Sequence, residues 1–391
     1  MSYVLVEHYP ELKLMLSDAI KEATDILKRD MVKYASGDLY PARYANGKYV
    51  AVKNADPLCY YWEEGFWPGQ LWLAYEATGD EAFRKLADKN VDDFYKRVDE
   101  NNHIDWHHDL GFLYTPSCVS AYMLTGNETA KKAALMAAYS LSRRFRPRGQ
   151  FIQSMSFELD EPNYKFIVDT MLNIPLLFWA AKETGEESYR QKALAHLNTT
   201  VKYAMREDGT TYHHFLMDEK TGGPIKGQTW QGDGDESCWS RGQAWVVYGL
   251  ALGYGYTKDE KILGHFKKAT DYVMNHMPED FVPYWDFVYS DGSEEPRDSS
   301  AAAIIACGIL EMAKHAPECD FMKGYLDKVA KMMRSMAVSY ANKLKNGTEG
   351  LLLHGTDAKP QGEGIDVPLS FGDYFYMESL IRATRDWKSY W

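Results

Sequence analysis

Hydrophobic positions along the chain recur as pairs of helical segments whose two members differ in character. The first member is apolar or small at nearly every position, whereas the second is amphipathic with a period of roughly 3.6 residues. In the turn between them, a helix-ending glycine or a looser equivalent precedes an acid or asparagine that can start the next helix. These turns are ATGD ending at Asp80, LTGN ending at Asn127, ETGE ending at Glu186 and GYTKDE ending at Glu260.

The repeat extends towards both ends of the 391-residue chain. SSAAAIIACGILEMAKH and FMKGYLDKVAKMMRSMAVSYAN form a fifth pair, and helices at about 10–34 and about 371–386 supply a sixth. Repeated helical hairpins are typical of solenoids and closed toroids. A helix that is apolar all round is buried on all sides, as in the inner layer of a double ring. The pattern therefore favours an all-α (α/α)6 barrel with residues 1–391 as a single domain, and an open solenoid is the alternative.

Long loops are expected on one rim of this barrel, because they enter the inner helices whereas the outer helices follow short turns. The loops carry most of the His, Trp, Asp and Gly residues that have no role in the core. Long loops on a rigid scaffold are where function usually sits. They are NADPLCYYWEEGFWPGQ, NNHIDWHHDLGFLYTPS, HHFLMDEKTGGPIKGQTWQGDGDESCWSRGQAW, YWDFVYSDGSEEPRDSS and HGTDAKPQGEGIDVPLSFGDYFY.

Two carboxylates stand where such loops enter inner helices. Asp109 lies in WHHDLGF, and Asp169 lies in the apolar run FIVDTMLNIPLLFWAAKETG, where helical spacing would align it with Phe166, Leu172 and Leu176. Paired carboxylates suit glycoside chemistry, because one protonates while the other activates water or stabilises charge. Apolar surroundings raise the pKa of a carboxyl group, so Asp169 could hold a proton near neutral pH. The alternative is that each aspartate caps its helix.

The stretch GQTWQGDGDESCWSRGQAW, residues 227–245, offers groups that suit an acidic sugar. Arg241 is a cation for a uronic acid carboxylate. Gln231 can bridge a hydroxyl or a water, and Trp239 and Trp245 offer faces for stacking on a sugar ring. In the alternative interpretation Arg241 pairs with an acid of its own loop. The acids available there are Asp233, Asp235 and Glu236.

Four histidines raise the question of a metal site. His107 and His108 are adjacent, as are His213 and His214, and neither pair has the helical spacing of metal ligands. We therefore expect histidines that hydrogen-bond within a sugar site, and no metal. No phosphate-binding glycine loop of Walker or dinucleotide type follows a strand, so we expect no organic cofactor either.

Charge and cysteine content narrow the classes of partner. The net charge of −12 disfavours nucleic acid or an anionic membrane surface, whereas a small acidic oligosaccharide needs only a local cation. Five cysteines without a CxxC pair predict free thiols in a reducing compartment. With no signal-peptide pattern and no long apolar run, we expect a cytoplasmic protein. Monomer and homodimer both remain open. The cysteines are Cys59, Cys118, Cys238, Cys307 and Cys319.

Seven stretches of the rim and inner helices resemble the unsaturated glucuronyl hydrolases of glycoside hydrolase family 88. Together they run from about residue 60 to 385, so the resemblance covers most of the chain. HDLGF, the aspartate-bearing segment and WSRGQAW, in this order, are fairly specific. The stretches are YYWEEGFWPGQLWLAYEATGD, WHHDLGFLYTPS, FIVDTMLNIPLLFWAAKETG, YHHF, WSRGQAWVVYGLA, DSSAAAIIACGILEM and FGDYFYMESLIR.

The resemblance implies an (α/α)6 barrel that removes the 4,5-unsaturated uronic acid left by a polysaccharide lyase, by hydrating the C4=C5 enol ether. Asp169 would then be the general acid and base that protonates C4 and handles the attacking water. Asp109 would be the second essential carboxylate and would stabilise the oxocarbenium character that protonation creates.

The same resemblance implies substrate-binding roles around the two carboxylates. His213 and Gln231 would assist near the double bond and the water. Arg241 and Trp245 would hold the carboxylate end and the sugar. The remaining wall of the cleft would come from Phe112 and Trp62.

One departure from the family pattern concerns sulfated substrates. Some members carry a Ser- and Lys-containing sulfate-binding stretch before the GDYFYMES-like segment, whereas TDAKPQGEGIDVPLS has Lys359 as its one cation. We therefore predict a weaker preference for sulfated substrates. Two other functions stay open, namely a rhamnogalacturonyl hydrolase of the related family 105 that acts on pectin fragments, and a non-catalytic carbohydrate-binding α-toroid.

Overall fold

The computed structural model describes residues 3–53, 62–100, 107–156 and 163–391, and most of these residues are helical. The loop residues Cys59 and Trp106 lie outside the described residues. The α-helices are α1 (Leu5–His8), α2 (Lys13–Asp30), α3 (Phe66–Thr78), α4 (Glu81–Asp99), α5 (Leu110–Tyr114), α6 (Ser120–Thr125), α7 (Glu128–Arg143), α8 (Pro175–Thr184), α9 (Glu187–Thr199), α10 (Ser240–Thr257), α11 (Glu260–Asn275), α12 (Ser299–His315), α13 (Met322–Ser335) and α14 (Ser370–Thr384).

The helices form two concentric layers, and the inner layer closes on itself. Around the ring, α10 packs on α12, α12 on α14, and α14 on α3. The π-helical turn Thr115–Val119, which joins α5 to α6, packs on α3, and α5 contacts α8, which returns to α10. Closure between α14 and α3 confirms the predicted barrel and rules out the open solenoid. The outer layer is α2, α4, α7, α9, α11 and α13, so α14 and α2 supply the sixth pair as predicted.

The turns between inner and outer helices mostly follow the predicted capping chemistry. α3, α6 and α8 end at glycines with left-handed φ values of 70°, 70° and 75°, a backbone conformation that costs glycine little. Side chains cap α4, α7 and α11 by accepting a backbone N–H, whereas Glu186 does not cap α9. At the loosest turn, Lys258 adopts the left-handed conformation itself, with φ 56°. The capping residues are Asp80, Asn127 and Asp259.

Short antiparallel strands decorate the rim. Sheet pairings are β1 with β2, β3 with β4, and β5 with β6 with β7 in that order. The β1–β2 hairpin turns at Asn46 and Gly47, both with positive φ. The strands are β1 (Leu39–Ala45), β2 (Lys48–Lys53), β3 (Phe145–Arg146), β4 (Phe151–Ile152), β5 (Lys165–Ile167), β6 (His214–Met217) and β7 (Pro224–Gln228).

The segment that carries Asp169 is not part of an α-helix, so the helical alignment with Phe166, Leu172 and Leu176 is wrong. Phe166 lies in β5, Asp169 lies in a 3-10 helix spanning Val168–Leu172, and α8 begins only at Pro175. Pairing of β5 with β6 supplies backbone hydrogen bonds that favour the extended conformation before Asp169. Proline is favoured in the first turn of a helix, which fits the late start of α8.

The buried side chains form one continuous hydrophobic cluster that extends from Val4 to Trp391. Cys118, Cys238 and Cys307 are buried free thiols, and Cys319 is a partly exposed one. In the described ranges, no helix is long and apolar enough to cross a membrane.

Candidate active site

The three-stranded sheet brings Asp169 and His213 together. Ile167 pairs with His214 across β5 and β6, and the N–H of Val168 donates to the carbonyl of His213 at 2.9 Å. The residues just beyond this pairing are therefore neighbours, and Nε2 of His213 lies 3.7 Å from Oδ2 of Asp169. Strand register thus joins two predicted site residues that are 44 positions apart in the sequence.

Asp169 has the environment of a carboxyl group that holds a proton near neutral pH. Its side chain is 14% exposed, and Oδ2 is buried without a hydrogen-bond partner. Burial, followed by repulsion from Asp109, raises the pKa of Asp169 to about 7, although the positive charge of Arg241 opposes the shift. Ile167, and not Asp169, occupies the N-cap position of its 3-10 helix, and no side-chain capping bond is made there. The capping alternative is therefore wrong for Asp169.

Asp109 is adjacent to Asp169, but its surroundings favour the ionised form of the carboxyl group, whereas those of Asp169 favour the protonated form. Its oxygens lie 3.3 Å from Nδ1 of His107 and 3.5 Å from Nε2 of His108. Burial acts to raise the pKa of Asp109, but His108, His107 and Asn173 outweigh burial and hold the pKa below its usual value of 3.8. Although Asp109 occupies the N-cap position of α5, its side chain makes no capping bond. At neutral pH the pair thus combines an ionised carboxyl with one that holds its proton about half of the time.

Asn173 connects the two carboxylate-bearing segments and was missed from the sequence. Its Nδ2 donates to the carbonyl of Asp169 at 3.2 Å and to Oδ1 of Asp109 at 3.4 Å. Its Oδ1 accepts the N–H of Phe112 at 2.8 Å. The segments touch at Gly111, where an added Cβ would come within 2.3 Å of the Cα of Asn173. The glycine of HDLGF therefore permits the close approach of the two segments.

His213 is held in one neutral tautomer by backbone donors. The N–H groups of Trp230 and Gln231 both point at Nδ1, at 3.1 and 3.2 Å, so Nδ1 is an acceptor. The proton of the neutral ring then sits on Nε2, which faces Asp169. Burial lowers the pKa of His213 well below 6.5, so the ring stays neutral at neutral pH. The amide of Gln231 points away from His213 and donates to the carbonyl of Asp357 at 3.1 Å.

Arg241 lies in the first turn of α10, and both of its terminal nitrogens bond partners outside its own loop, whereas its Nε is buried without a hydrogen-bond partner. It bonds Asp298 and Asp357, each at 2.9 Å, and also the carbonyls of Thr356 and Asp357 at 2.6 Å. Pairing with the loop acids Asp233, Asp235 or Glu236 is therefore wrong. The guanidinium also lies 4.5 Å from the ring centre of Trp239 and 4.9 Å from that of Phe371.

A second group of acids surrounds this arginine. Burial, followed by repulsion from Asp357, raises the pKa of Glu63 to about 8, and burial also raises that of Asp357. Glu63 is therefore largely protonated at neutral pH, and the pKa of Asp357 is shifted in the same direction. Arg241 consequently keeps part of its positive field, even though it touches two carboxyl groups. Neither Glu63 nor Asp357 was a predicted site residue.

The predicted aromatic residues lie together, but they differ in how far they are exposed. Trp62 is partly exposed and packs on Phe112, at 5.2 Å between ring centres, and on Phe371, at 4.8 Å. Phe112 and Trp245 are 0% exposed and pack on each other at 5.0 Å. Stacking of a sugar on Trp245 is therefore not supported. Aromatic rings fill the centre of the barrel, and Trp245 lies among them, beneath the floor of the cleft.

Among the residues described, no group of three or more His, Cys, Asp or Glu side chains could hold a metal ion. The imidazoles that were considered as ligands have other partners. His108 contacts the hydroxyl of Thr170 through Nδ1 at 2.8 Å, and Nδ1 of His107 accepts the N–H of Asp109 at 3.1 Å.

Known proteins resemble this chain in both sequence and three-dimensional structure. The model for Glycosyl Hydrolase Family 88 matches residues 38–338. The unsaturated chondroitin disaccharide hydrolase of Streptococcus pneumoniae (strain ATCC BAA-255 / R6) is 42% identical over 390 residues, which are 98% of this chain and 97% of the relative. The unsaturated glucuronyl hydrolase of Bacillus sp. (strain GL1) is 38% identical over 380 residues, 96% of this chain and 99% of the relative. The crystal structure of the Streptococcus agalactiae unsaturated glucuronyl hydrolase matches with a TM-score of 0.93 and 41% identity, covering 97% of this chain and 94% of that one.

Proposed function

The chain belongs to glycosyl hydrolase family 88, and from that premise we propose how it acts as an unsaturated glucuronyl hydrolase. It removes 4,5-unsaturated glucuronic acid from the non-reducing end of glycosaminoglycan-type oligosaccharides made by lyases, by hydrating the C4=C5 bond. One observation carries this mechanism: Asp169, a buried carboxyl whose pKa is raised to about 7, faces the ionised Asp109 and the neutral His213.

The first step is transfer of a proton from Asp169 to C4 of the sugar. The π electrons of the enol ether form the new C4–H bond, and positive charge develops on C5 and the ring oxygen. Protonation at carbon is slow in water, so a positioned acid with a pKa near the working pH accelerates it. The nearby carboxylate of Asp109 stabilises the cationic transition state.

Water then adds to C5, and the Asp169 carboxylate takes the proton that this water loses. The product is a hemiketal at C5, so the glycosidic bond is still intact at this stage. Opening of the hemiketal breaks the bond between C5 and the ring oxygen and leaves a hemiacetal at C1. Collapse of the hemiacetal releases the leaving sugar with its own oxygen. His213 supports the addition of water to C5, since its Nε2–H can donate to the water beside Asp169.

The substrate carboxylate is proposed to lie in the field of Arg241. Because the pKa of Glu63 is raised to about 8, the proton on this acid limits the repulsion of a further carboxylate, and the upward shift of Asp357 acts in the same direction. Gln231 contributes by holding Asp357 in place. Trp62 contributes the partly exposed face against which the sugar can pack.

The pKa pattern predicts an alkaline limb in the activity profile. Asp169 must be protonated and Asp109 ionised in the free enzyme, so kcat/KM has an acid limb where Asp109 titrates, is constant from there up to the pKa of Asp169 of about 7, and falls roughly tenfold per pH unit above it. Asp109 is already ionised in this range, because its pKa is lowered. Measurement of kcat/KM between pH 5 and pH 9 checks this; a profile that is flat or rising above pH 7 would contradict it.

A second prediction concerns sulfation. Lys359 lies 2.7 Å from Glu295 and 5.5 Å from the ring centre of Trp285, so a carboxylate already balances its charge. For a cation that is partly exposed and already paired, a further anion gains roughly 1 kcal/mol or less. We therefore expect kcat/KM for sulfated and unsulfated unsaturated chondroitin disaccharides to differ by less than about fivefold. A preference of tens of fold for the sulfated sugar would overturn the prediction.

The function itself is tested by the loss of near-UV absorbance of the unsaturated uronate. Unsaturated disaccharides derived from glycosaminoglycan and from pectin serve as alternative substrates, and the saturated glycosaminoglycan disaccharide serves as the control. We expect turnover of the first only. Preferential turnover of the pectin fragment would favour the family 105 activity, and turnover of neither would favour a carbohydrate-binding role.

The cytoplasm remains the predicted compartment, on the pattern of cysteines in the sequence. Monomer or homodimer remains the predicted state of assembly.

A further inference from the structure

Asn173 is placed where it can control both carboxyl groups without touching the substrate. It is 0% exposed and follows the 3-10 helix that carries Asp169. One amide group meets the side chain of Asp109, the backbone of Asp169 and the N–H of Phe112, which belongs to the first turn of α5. A change at this amide therefore reaches both acids at once.

The amide nitrogen has two N–H donors, and both are used. The acceptors are Oδ1 of Asp109 and the carbonyl of Asp169. A donor to a carboxylate favours its ionised form, so this bond stabilises the negative charge of Asp109. That charge is one of the causes that keep the proton on Asp169. The second bond fixes the backbone from which Asp169 projects.

Other charged and titratable groups also face the two carboxyl groups. Asp109 faces His107 and His108, which lie just before α5 in the chain, together with Asp169 from the 3-10 helix. Asp169 faces His213, Arg241 and Asp357. Of the groups that interact with Asp109 in the part of the chain that the structure describes, Asn173 alone also bonds the backbone of Asp169.

We propose that Asn173 is a positioning residue that keeps Asp109 ionised and holds it in register with Asp169, so that Asp169 retains the proton used for hydration. The proposal rests on the proposed function, because it assigns Asn173 a part in the same proton transfer. Asn173 acts through these two neighbours and is not itself a catalytic residue.

The test compares Asn173→Ala and Asn173→Asp with the native enzyme. Alanine removes both donors, so the ionised form of Asp109 loses a hydrogen bond. We therefore expect the acid limb of kcat/KM, which reports the titration of Asp109, to move up by about one pH unit. Aspartate keeps an acceptor for Phe112 but places a second carboxyl beside Asp109. The two acids then share a proton, and the acid limb moves up further. Asn90→Ala is the matched control, because Asn90 is equally buried and bonds the carbonyl of Gly37 and the hydroxyl of Tyr40.

The control is expected to lower the melting temperature and leave the acid limb in place. A uniform loss of kcat at every pH in both Asn173 variants would reduce Asn173 to a structural role and overturn the proposal.

A ¹³C NMR titration of the Asp109 carboxyl supplies a readout that needs no turnover. An upward shift of its pKa in Asn173→Ala supports the proposal, and an unchanged pKa overturns it. If the native enzyme fails to act on unsaturated uronides, the proposed function fails, while the titration still decides whether Asn173 controls Asp109.

Discussion

Replacing Asp169 by asparagine is expected to lower kcat by a factor of about 10²–10⁴, which is the range of general acid catalysis. Asparagine preserves the size of the side chain and its neutral state, but it cannot deliver a proton to C4. The change costs little stability, because Oδ2 has no hydrogen-bond partner and the side chain caps no helix. The initial rate of absorbance loss measures the effect, and near-native turnover would refute the role of Asp169.

Asp373→Asn provides a matched control for this substitution. Asp373 is also buried, and burial raises its pKa to about 7, as at Asp169. It differs in being fully hydrogen-bonded, by the backbone N–H groups of Leu351 and Leu352 and by the hydroxyl of Tyr49, each at 2.8 Å. We expect Asp373→Asn to lower the melting temperature while kcat stays near the native value. The comparison therefore distinguishes an acid that donates a proton to the substrate from an acid that is buried but has no part in catalysis.

Replacing Asp109 by asparagine is expected to have the second largest effect, a loss of about 10²–10³ in kcat. The substitution removes the negative charge that stabilises the cationic transition state. It also removes the repulsion that helps to keep the proton on Asp169, so the pKa of Asp169 falls. The residual activity therefore has an alkaline limb below pH 7.

Measurement of the pH profile of Asp109→Asn checks both consequences. Loss of kcat with an unmoved alkaline limb would show that Asp109 does not set the protonation of Asp169. Retention of native kcat would remove Asp109 from the mechanism.

The barrel could be predicted from the sequence because its signals are local. The glycines at 79, 126 and 185 end inner helices, and the apolar helices α3, α10, α12 and α14 are buried except at their C-terminal ends. Each of these features depends on a few neighbouring residues. The closure between α14 and α3 then follows from the number of pairs and the burial of every inner helix.

The segment before α8 could not be assigned in the same way. A short apolar run such as FIVDTML suits either a strand or a buried helix, and periodicity alone does not separate them. The partner that decides is β6, which begins 47 positions after Ile167. Long-range pairing of this kind overrides local preference.

The two carboxyl groups predicted for the site lie together in the structure, whereas the residues that support them were not predicted. Asp109 and Asp169 were found because acids at the entry to apolar helices are unusual. Asn173 and Asp357 carry no such signal, since each is one polar residue most of whose partners are distant in the sequence. The rings of Phe112 and Trp245 lie beneath the floor because side chains from the inner helices fill the centre of the barrel.

The central claim is that the enzyme hydrates C4=C5 before any bond at C1 breaks, and two substrates that differ only in the glycosidic atom test it most directly. The measurement is the rate of near-UV absorbance loss for an unsaturated glucuronyl disaccharide with an oxygen link and for its sulfur-linked counterpart. Hydration predicts similar rates for both, because the acid protonates C4 rather than the glycosidic atom. Turnover of the oxygen-linked sugar with no absorbance loss from the sulfur-linked one would contradict the account and indicate direct displacement at C1.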